Sequence, residues 1–425
     1  MTRTLQSVRV LYSFPHKLGA DRICHTAWQQ VKGLLDAGAE VLVFPGVMHR
    51  ELPPQAVIKP TLAYGKLRIP YKVLGTERAC RMHDWIVAHR LEKLVGKVDI
   101  VHAWPLGALR TLKTAARLGI PTVLERPNAH TRFAYEVVRK ECEKLDVMLP
   151  PSHEHAYKPS VLAKEEAEYD TAFRLLCPSD FVAQTFLDQG FSPEKLLRHQ
   201  YGYDDHVYRP GEQTRDKERG LTMLFAGGCA PRKGLHYALD AWLRSPACLK
   251  GKFIIAGGFI PGYAEKLADK LAHPSVEVLG YRSDIPELMR KSDILVLPSI
   301  EEGSALVTSE ARASGCVLLV SEAAGAICKH GENALVHRVG DVDELTRQIT
   351  TLDADRDLLE KLRAASLSTV EQISWRAAGV RLLVAYRQTI DAYHQSVASP
   401  LNFKPMVIAD SLKLEQYTPL DGASR

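Results

Sequence analysis

The sequence predicts an α/β protein with two Rossmann-like, doubly wound parallel sheets that face each other across a cleft. Three observations support this fold class. The chain has 425 residues, which is too long for one ordinary hydrophobic core. Short β-branched segments alternate with helical patterns along most of it, as in parallel α/β sheets. A polar segment at 209–220, RPGEQTRDKERG, separates two such series and is typical of an interdomain linker.

The first series of elements precedes this polar segment. Its strands are predicted from β-branched apolar runs, and its helices from apolar residues at helical spacing. The last helix has Ser179 or Asp180 as its N-cap, because a side-chain oxygen there accepts a free N–H of the first turn. In chain order, the predictions are strand 8–14, helix 23–38, strands 40–46 and 98–104, helix 106–119, strands 120–127 and 174–179, and helix 180–190.

The second series follows the linker, with helices predicted between successive strands. After it comes an amphipathic helix at 373–395, and the residues from 396 onward show little pattern. We therefore predict a first domain at 1–208, a linker at 209–220, a second domain at 221–372, the helix and a tail at 396–425. The strands of the second series are predicted at 221–228, 252–258, 276–280, 293–299 and 316–321.

Composition limits the class of protein. An apolar fraction of 46% with 25% charged residues is that of a water-soluble globular protein, and no apolar run is long enough to span a membrane. The start, MTRTLQSVRVLYSF, lacks the apolar region of a signal peptide. The eight cysteines form no C-x-x-C pair, so we expect free, buried thiols in a reducing compartment. A cytoplasmic location is the expectation.

Positive charge is concentrated in the first part of the chain. Residues 1–140 contain 22 Lys and Arg against 10 Asp and Glu, and the remainder contains 33 against 40. The stretch 64–85, YGKLRIPYKVLGTERACRMHDW, mixes these cations with aromatic residues. Such a face suits a phosphate-rich acceptor or peripheral contact with an anionic membrane, and solvated surface charge is the alternative. No nucleic-acid-binding motif accompanies the charge, so no nucleic-acid partner is expected.

The segment 224–242, LFAGGCAPRKGLHYALDAW, is the first candidate ligand site. A strand ends in Gly227 and Gly228, a loop carries Arg232 and Lys233, and a helix begins near Gly234. Glycines permit close approach of the backbone to a ligand, and the two cations suit a diphosphate. The segment matches neither a P-loop nor a dinucleotide fingerprint. A turn with solvated basic residues is the competing interpretation.

The second candidate site is PSIEEGSALVTSEARASG, at 298–315. Glu302 and Glu310 lie on either side of a predicted helix start, and carboxylates accept paired hydrogen bonds from vicinal hydroxyls. A helix N-terminus attracts phosphate. A phosphorylated ligand rich in hydroxyls, such as a nucleotide sugar, fits both features. The alternative interpretation is that the two glutamates are ordinary charges near a helix terminus. The N–H groups expected to face the cleft are those of Gly303, Ser304, Ala305 and Leu306.

These and other segments resemble, in the same order, the family 4 glycosyltransferases. The stretch 298–315 is similar to their E-x7-E signature, and PRKG with ALDAW resembles their donor-phosphate segment. GYRSDIPELMRKSDILVLPS matches as well, and LCPSDFVAQTFLDQGFSPEKLLRHQYGYDDHVYRP resembles the segment that leads to their interdomain linker. SWRAAGVRLLVAY resembles their helix that crosses back to the first domain. The resemblance covers most of residues 170–390, and the first 170 residues match only in general layout.

The resemblance implies a GT-B fold and a retaining, metal-independent glycosyltransferase of the hexosyltransferase type. The second domain would bind the donor, a UDP- or GDP-sugar that serves as co-substrate, with no other cofactor. The first domain would bind the acceptor, which is a saccharide, a lipid-linked molecule or a small molecule. The alternatives are a GT-B nucleotide-sugar epimerase, a phosphorylase, or a non-catalytic nucleotide-sugar-binding partner subunit.

The family's donor-side roles fall on three residues of this sequence. Glu302 would contact the sugar hydroxyls, Glu310 the ribose, and Lys233 the diphosphate. Glu301 competes with Glu302 for the first role, but Ser309 and not a glutamate stands eight positions after it. The family register therefore favours Glu302.

Two positions depart from the family pattern. Gly228 stands where the family has an arginine, five residues before the lysine, and adjacent Arg232 is the candidate substitute. Ala305 replaces the second glycine of E-G-x-G, which implies a tighter donor-sugar pocket. The departure at Gly228 is what suggests a non-catalytic binding subunit as an alternative.

In the first domain, His102 and His130 are the candidates for the family's catalytic histidine. His102 ends a strand and is expected to face the cleft, and each histidine has a structural role as its alternative. The predicted catalytic set is thus these two histidines with Glu302 and Lys233. The acceptor side is predicted from the 125–136 loop and the loop after the first strand, and comprises Gly19, Asp21, Arg22, Glu125, Arg126 and Asn128.

Overall fold

Residues 7–64, 67–68, 74–211 and 219–398 are described by the computed structural model, which contains two parallel β-sheets flanked by helices. This confirms the predicted α/β fold class with two doubly wound sheets. Residues 212–218 of the predicted linker and 399–425 of the predicted tail lie outside the described residues. So do 65–66 and 69–73 of the basic stretch. The domain boundaries proposed above stay a prediction.

The first sheet contains seven strands, all parallel to their neighbours. A separate antiparallel hairpin pairs Ala63–Tyr64 (β4) with Leu67–Arg68 (β5). The strands of the sheet are β1 Arg9–Leu18, β2 Glu40–Met48, β3 Val57–Ile58, β6 Ile100–Ala103, β7 Thr122–Glu125, β8 Arg174–Cys177 and β9 Leu196–Arg198. Their order is β3-β2-β1-β6-β7-β8-β9, so the direction of winding reverses between β1 and β6.

Six helices accompany the first sheet within the described residues. The last begins after Ser179, whose Oγ accepts the Val182 N–H at 3.2 Å, so the predicted N-cap is confirmed. The predicted 125–136 loop is shorter than expected, because a helix already begins at Thr131. The helices are α1 Ile23–Asp36, α2 Thr76–Leu91, α3 Leu109–Arg117, α4 Thr131–Lys144, α5 Pro159–Thr171 and α6 Asp180–Leu187.

The second sheet has six parallel strands and repeats the same winding. Its strands are β10 Thr222–Ala226, β11 Lys252–Ala256, β12 Val276–Gly280, β13 Ile294–Leu297, β14 Val317–Ser321 and β15 Ala334–His337. Their order is β12-β11-β10-β13-β14-β15, which is the doubly wound order of Rossmann folds. The winding reverses between β10 and β13, and ligands of such sheets bind at the carboxyl ends beside this reversal.

The helices of the second half flank the second sheet, and one of them also packs against the first half. The longest of them, α14 (Trp375–Ala398), packs against α1 of the first half, where Gly379 and Gly33 approach closely. The helices are α7 Leu235–Arg244, α8 Tyr263–Lys266, α9 Ala268–Leu271, α10 Ile285–Lys291, α11 Leu306–Ala313, α12 Val342–Ala354, α13 Arg356–Ser368 and α14 Trp375–Ala398.

All eight cysteines are free thiols, and six of them are buried. The remaining two, Cys24 and Cys248, are half-buried. This confirms the prediction of free thiols, most of which are in the interior.

Candidate active site

Two loops meet at the carboxyl ends of β10 and β13, where the winding of the second sheet reverses. Arg232 and Lys233 lie in a single 3-10 turn after β10, and Glu302 lies in the loop after β13. The loops are joined by a hydrogen bond from the Ile300 N–H to the Arg232 carbonyl at 2.9 Å. Gly234, with φ of 67°, leaves no room for a side chain, since a Cβ there would lie 1.9 Å from the Pro298 oxygen.

The two predicted cations contact the predicted carboxylate directly. Arg232 Nη1 lies 3.0 Å from Glu302 Oε2, and the Lys233 ammonium binds Glu302 Oε1. Burial opposes ionisation of Glu302, but attraction by Arg232 and Lys233 outweighs it, so the pKa of this carboxyl lies below its usual value. Burial lowers the pKa of Lys233 despite the neighbouring carboxylate. The cluster brings two cations to one nearly closed site, where an anionic ligand would compete with Glu302 for them.

The glycines at the end of β10 have different surroundings. Gly227 packs against the next strand, because a Cβ on Gly257 would lie 1.8 Å from the Gly227 oxygen. Gly228 is exposed, and a Cβ there would meet no heavy atom within 4 Å. The position at which the resemblance expects an arginine therefore has room for a side chain, and Arg232 as its substitute stays a prediction.

The start of α11 is less open to the cleft than predicted. The Ala305 N–H donates to the Ala324 oxygen at 3.2 Å, so its predicted availability for a ligand is wrong. Gly303 contacts the first half of the chain, since Ser179 Oγ donates to its carbonyl at 2.5 Å. A Cβ on Gly303 would lie 1.6 Å from the Pro127 oxygen. Ser304 and Leu306 remain partly exposed.

Glu310 lies away from this cluster and lines a cavity of about 290 Å³ between the two sheets. Burial raises the pKa of Glu310 to about 7, and a hydrogen bond from Tyr208 acts in the opposite direction. The wall of this Glu310 cavity is formed by α1, α11, α14 and the segment that follows β9. Its lining residues are His25, Gly202, Asp204, Val207, Tyr208, Leu306, Glu310 and Trp375.

Residues 220–355, which contain both loops and α11, match the family described as "Glycosyl transferases group 1". A D-inositol 3-phosphate glycosyltransferase from Thermobispora bispora is 25% identical over 398 residues, covering 86% of this chain and 89% of that relative. The matched family model and this relative support a glycosyltransferase of family 4. None of these relationships supports the epimerase, phosphorylase or partner-subunit alternatives.

Structural alignment with solved proteins identifies the fold of this glycosyltransferase. Sucrose-phosphate synthase from Thermosynechococcus elongatus aligns with a TM-score of 0.63 at 17% identity, covering 91% of this chain and 100% of the other. HepE of Anabaena in complex with UDP aligns with a TM-score of 0.60 at 16% identity, covering 90% and 100%. The predicted GT-B fold is confirmed.

The predicted exposure of His102 to the cleft of this glycosyltransferase is wrong. Its side chain is fully buried at the end of β6. His102 Nδ1 lies 2.5 Å from the Tyr386 hydroxyl of α14, and Nε2 lies 3.4 Å from Glu125. Burial lowers the pKa of His102, against the effect of Glu125. The geometry therefore supports the structural alternative, in which His102 connects α14 to the first sheet.

His130 is also buried, immediately before α4. Its ring packs edge-on against Tyr169 and Phe186, with ring centres 5.2 and 5.0 Å away. Burial, with help from Arg126 and Arg132, lowers the pKa of His130 to about 4. The neutral ring lies in an aromatic cluster, so its catalytic role stays an untested prediction that this packing does not favour.

Glu125 and Arg126 belong to the interior of the glycosyltransferase and not to an exposed acceptor surface, which corrects their predicted location. Glu125 accepts hydrogen bonds from Gln30 at 2.9 Å and Tyr201 at 2.8 Å, and it is fully buried. Arg126 binds Glu165 at 2.9 Å and covers the Tyr169 ring. The position in sequence was right, at the carboxyl end of β7, but packing covers both side chains.

The remaining acceptor-side predictions lie at the surface. Asp21 and Arg22 are exposed after β1, and Asn128 and Gly19 are half-buried. Gly19 packs against the Arg50 side chain, since a Cβ there would lie 2.5 Å from Arg50 Cβ. These four residues are at least partly exposed, and their acceptor role stays a prediction.

Sequence patterns missed three residues near the candidate site, and they offered a fourth, Glu301, only as the competitor of Glu302. Tyr208 and His25 line the Glu310 cavity, and Glu301 and His155 form a buried pair beside Arg232. Glu301 was visible as a second carboxylate in the signature, but the family register pointed to its neighbour. His155 lies in an irregular stretch without a motif, so no sequence signal pointed to it.

Proposed function

We propose that this glycosyltransferase transfers a sugar from a UDP- or GDP-sugar to an acceptor hydroxyl, with retention of the anomeric configuration. The observation that carries the proposal is the cluster of Arg232, Lys233 and Glu302 where the second sheet reverses its winding. The UDP and UDP-glucose complexes of HepE, which shares the fold, are consistent with such a donor. Retention is inferred from the family alone.

In the proposed reaction, negative charge builds on the departing nucleoside diphosphate. Arg232 and Lys233 would stabilise that charge in a site from which water is largely excluded. Once the diphosphate binds these cations, the Glu302 carboxylate is released to accept hydrogen bonds from the sugar hydroxyls. The Glu310 cavity would hold the ribose. We propose that these two side-chain cations serve in place of a divalent metal ion at the diphosphate.

The test is turnover with a panel of UDP- and GDP-sugars, read as release of the nucleoside diphosphate. We expect Lys233→Ala and Glu302→Ala to lower kcat/KM by about 100-fold or more, because each removes a group from the charged cluster. Lys250→Ala and Glu265→Ala, exposed positions in the same half of the chain, serve as matched controls without effect. Wild-type levels in both cluster variants would refute the site assignment. If no donor raises the Tm of the wild type, the nucleotide-sugar proposal is wrong.

We also propose that the protein is cytoplasmic and that α2 contacts an anionic membrane at which a lipid-linked acceptor is presented. Trp85 is 56% exposed on this helix, with Arg78, Arg81 and Arg90 exposed on the same helix. Aromatic and basic side chains together favour the interface of anionic lipids. Among the described helices, none is both long and apolar enough to cross a bilayer.

Sedimentation with vesicles tests this contact. We expect binding to phosphatidylserine-containing vesicles at low salt and much less at high salt, because the attraction is screened. Trp85→Ser should weaken binding, whereas Tyr281→Ser, which removes an exposed aromatic of the second half, should not. Equal recovery with anionic and neutral vesicles at low salt would contradict the proposal.

A further inference from the structure

Glu301, the carboxylate next to Glu302, joins the two halves of the molecule beside the donor loops. It is fully buried in the loop after β13. Its Oε1 accepts the Ala129 N–H at 3.2 Å, and its Oε2 lies 2.9 Å from His155 Nε2. Both partners belong to the first half of the chain, in segments that flank α4. A single side chain of the second half therefore binds two polar groups of the first half.

Glu301 also holds Arg232 in place. Arg232 Nη1 lies 3.3 Å from Glu301 Oε2 and donates to the Glu301 carbonyl at 3.0 Å. The same nitrogen lies 3.0 Å from Glu302 Oε2. The guanidinium that the proposed function assigns to the donor diphosphate is thus oriented by a carboxylate whose other contacts cross between the two halves.

The contacts of Glu301 are those of an ionised carboxylate. A carboxylate accepts hydrogen bonds only, so His155 Nε2 and the Ala129 N–H must donate to it. Burial would raise the pKa of Glu301, but His155 and Arg232 outweigh this effect and hold it at about 2. A buried charge is tolerated only with such partners, and two of the three are lost if the halves separate.

We propose that Glu301 is a positioning residue that couples closure of the two halves to the placement of Arg232. With His155 and the Ala129 N–H bound, the carboxylate is fixed and in turn fixes the guanidinium at the diphosphate. When the halves part, Glu301 becomes hydrated and mobile, and Arg232 loses its orientation. Arg232 is then oriented to stabilise the leaving group only in the closed enzyme. This suppresses wasteful hydrolysis of the donor. This inference rests on the proposed function of the Arg232 cluster.

The decisive experiment is a double-mutant cycle between Glu301→Gln and Arg232→Ala, read as kcat and donor KM. We expect Glu301→Gln alone to lower kcat by about 100-fold, because a displaced catalytic group costs about that much. In the Arg232→Ala background the same change should cost less than about 3-fold, since the group it positions is absent. A purely structural role would give similar losses in both backgrounds, and that result would overturn the inference.

His155 provides a second arm that does not depend on Glu301 variants folding. His155→Gln keeps an N–H donor at similar reach and should retain most of kcat, whereas His155→Leu should lose as much as Glu301→Gln. Glu136→Gln is the matched control, because Glu136 lies on α4, its side chain is 54% exposed and its carboxylate pairs with Lys140. Equal activity of the Gln and Leu variants at His155 would refute the coupling.

Failure of this inference is distinguishable from failure of the proposed function. Donor binding to the wild type is measured first, as the rise in Tm with UDP- or GDP-sugar. If no donor binds, the proposed function is wrong. If donor binds and is turned over but Glu301→Gln and His155→Leu behave as wild type, only the coupling through Glu301 is refuted.

Discussion

Two opposing effects act on the pKa of Glu310, which lines the Glu310 cavity. Burial raises the pKa of its carboxyl to about 7, and the Tyr208 hydroxyl, which donates to the ionised form, holds it from rising further. A sizeable fraction of this side chain is therefore protonated near neutral pH in the ligand-free protein. An ionised carboxylate is the stronger acceptor for the ribose hydroxyls that the proposed function assigns to Glu310, so its protonation should weaken the proposed donor complex.

We expect donor affinity to fall as pH is lowered from about 8 to about 6, through the raised pKa of Glu310. Tyr208→Phe removes the bond that favours the ionised form, so the pKa rises and the midpoint moves to higher pH. Calorimetric titration with UDP at several pH values measures both effects. Glu310→Gln is the control and should flatten the profile across this range. An unchanged midpoint in Tyr208→Phe would show that another group controls the pH dependence.

The buried histidines illustrate how little strand position says about exposure. His102 ends β6 and His130 precedes α4, yet both rings are covered by side chains distant in sequence. The hydroxyl that contacts His102 belongs to Tyr386, 284 residues away. No local pattern carries that information, because it depends on which helix packs over the strand end.

At the scale of secondary-structure elements, α14 packs against α1 through a contact between two glycines. A Cβ on Gly379 would lie 2.5 Å from the Gly33 carbonyl carbon, and one on Gly33 would lie 2.9 Å from Gly379 Cα. The obstructing atoms are backbone, which cannot move aside without shifting a helix. The absence of side chains therefore lets the helices approach closely and lets Tyr386 reach His102.

Gly379→Ala should destabilise the protein by about 1–3 kcal/mol, the usual cost of overpacking a close contact. The change also improves intrinsic helix propensity by about 1 kcal/mol, so a net loss would report the steric effect. Urea unfolding followed by circular dichroism measures it. Val380→Ala, at the exposed adjacent position, should stay within about 0.5 kcal/mol of wild type. A stabilised Gly379→Ala variant would contradict the close packing.

At the scale of the whole molecule, the loops that carry the Arg232 cluster and the helix after the first of them contact the first half at several points. Ser179 binds the Gly303 carbonyl, and His236 Nε2 lies 2.7 Å from Glu141 Oε1. Ile300 packs with Val138 and Cys142 in a small apolar cluster. The structure is thus closed around the Arg232 cluster, with the two halves in contact beside it.

Gly303→Ala should prevent this closure, because its Cβ would lie 1.6 Å from the Pro127 oxygen, a backbone atom of the other half. We expect a larger radius of gyration in small-angle X-ray scattering and a lower kcat, while both halves remain folded. Ser304→Ala, which adds no bulk at the next position, is the control. Wild-type scattering together with wild-type kcat in Gly303→Ala would rule out the closed arrangement as the active one.

The sequence by itself determined the two-sheet fold, the order of most strands and helices, and the two loops that carry Arg232, Lys233 and Glu302. These follow from short-range causes: β-branched runs form strands, helical spacing forms helices, and parallel strands present their carboxyl ends at one edge of the sheet. A glycine at Gly234 is also favoured locally, because its left-handed backbone conformation, with φ of 67°, disfavours a side chain.

Only the tertiary structure decided which polar residues face the cleft and which are buried. Glu125 and Arg126 lie at the carboxyl end of β7, as a ligand-binding pair would, but segments from elsewhere in the chain enclose them. Glu301 binds His155, which is 146 residues away in sequence and lies across the boundary between the two halves. Burial and charge pairing are set by contacts between segments far apart in sequence, and such contacts exist only once the chain has folded and the two halves have met.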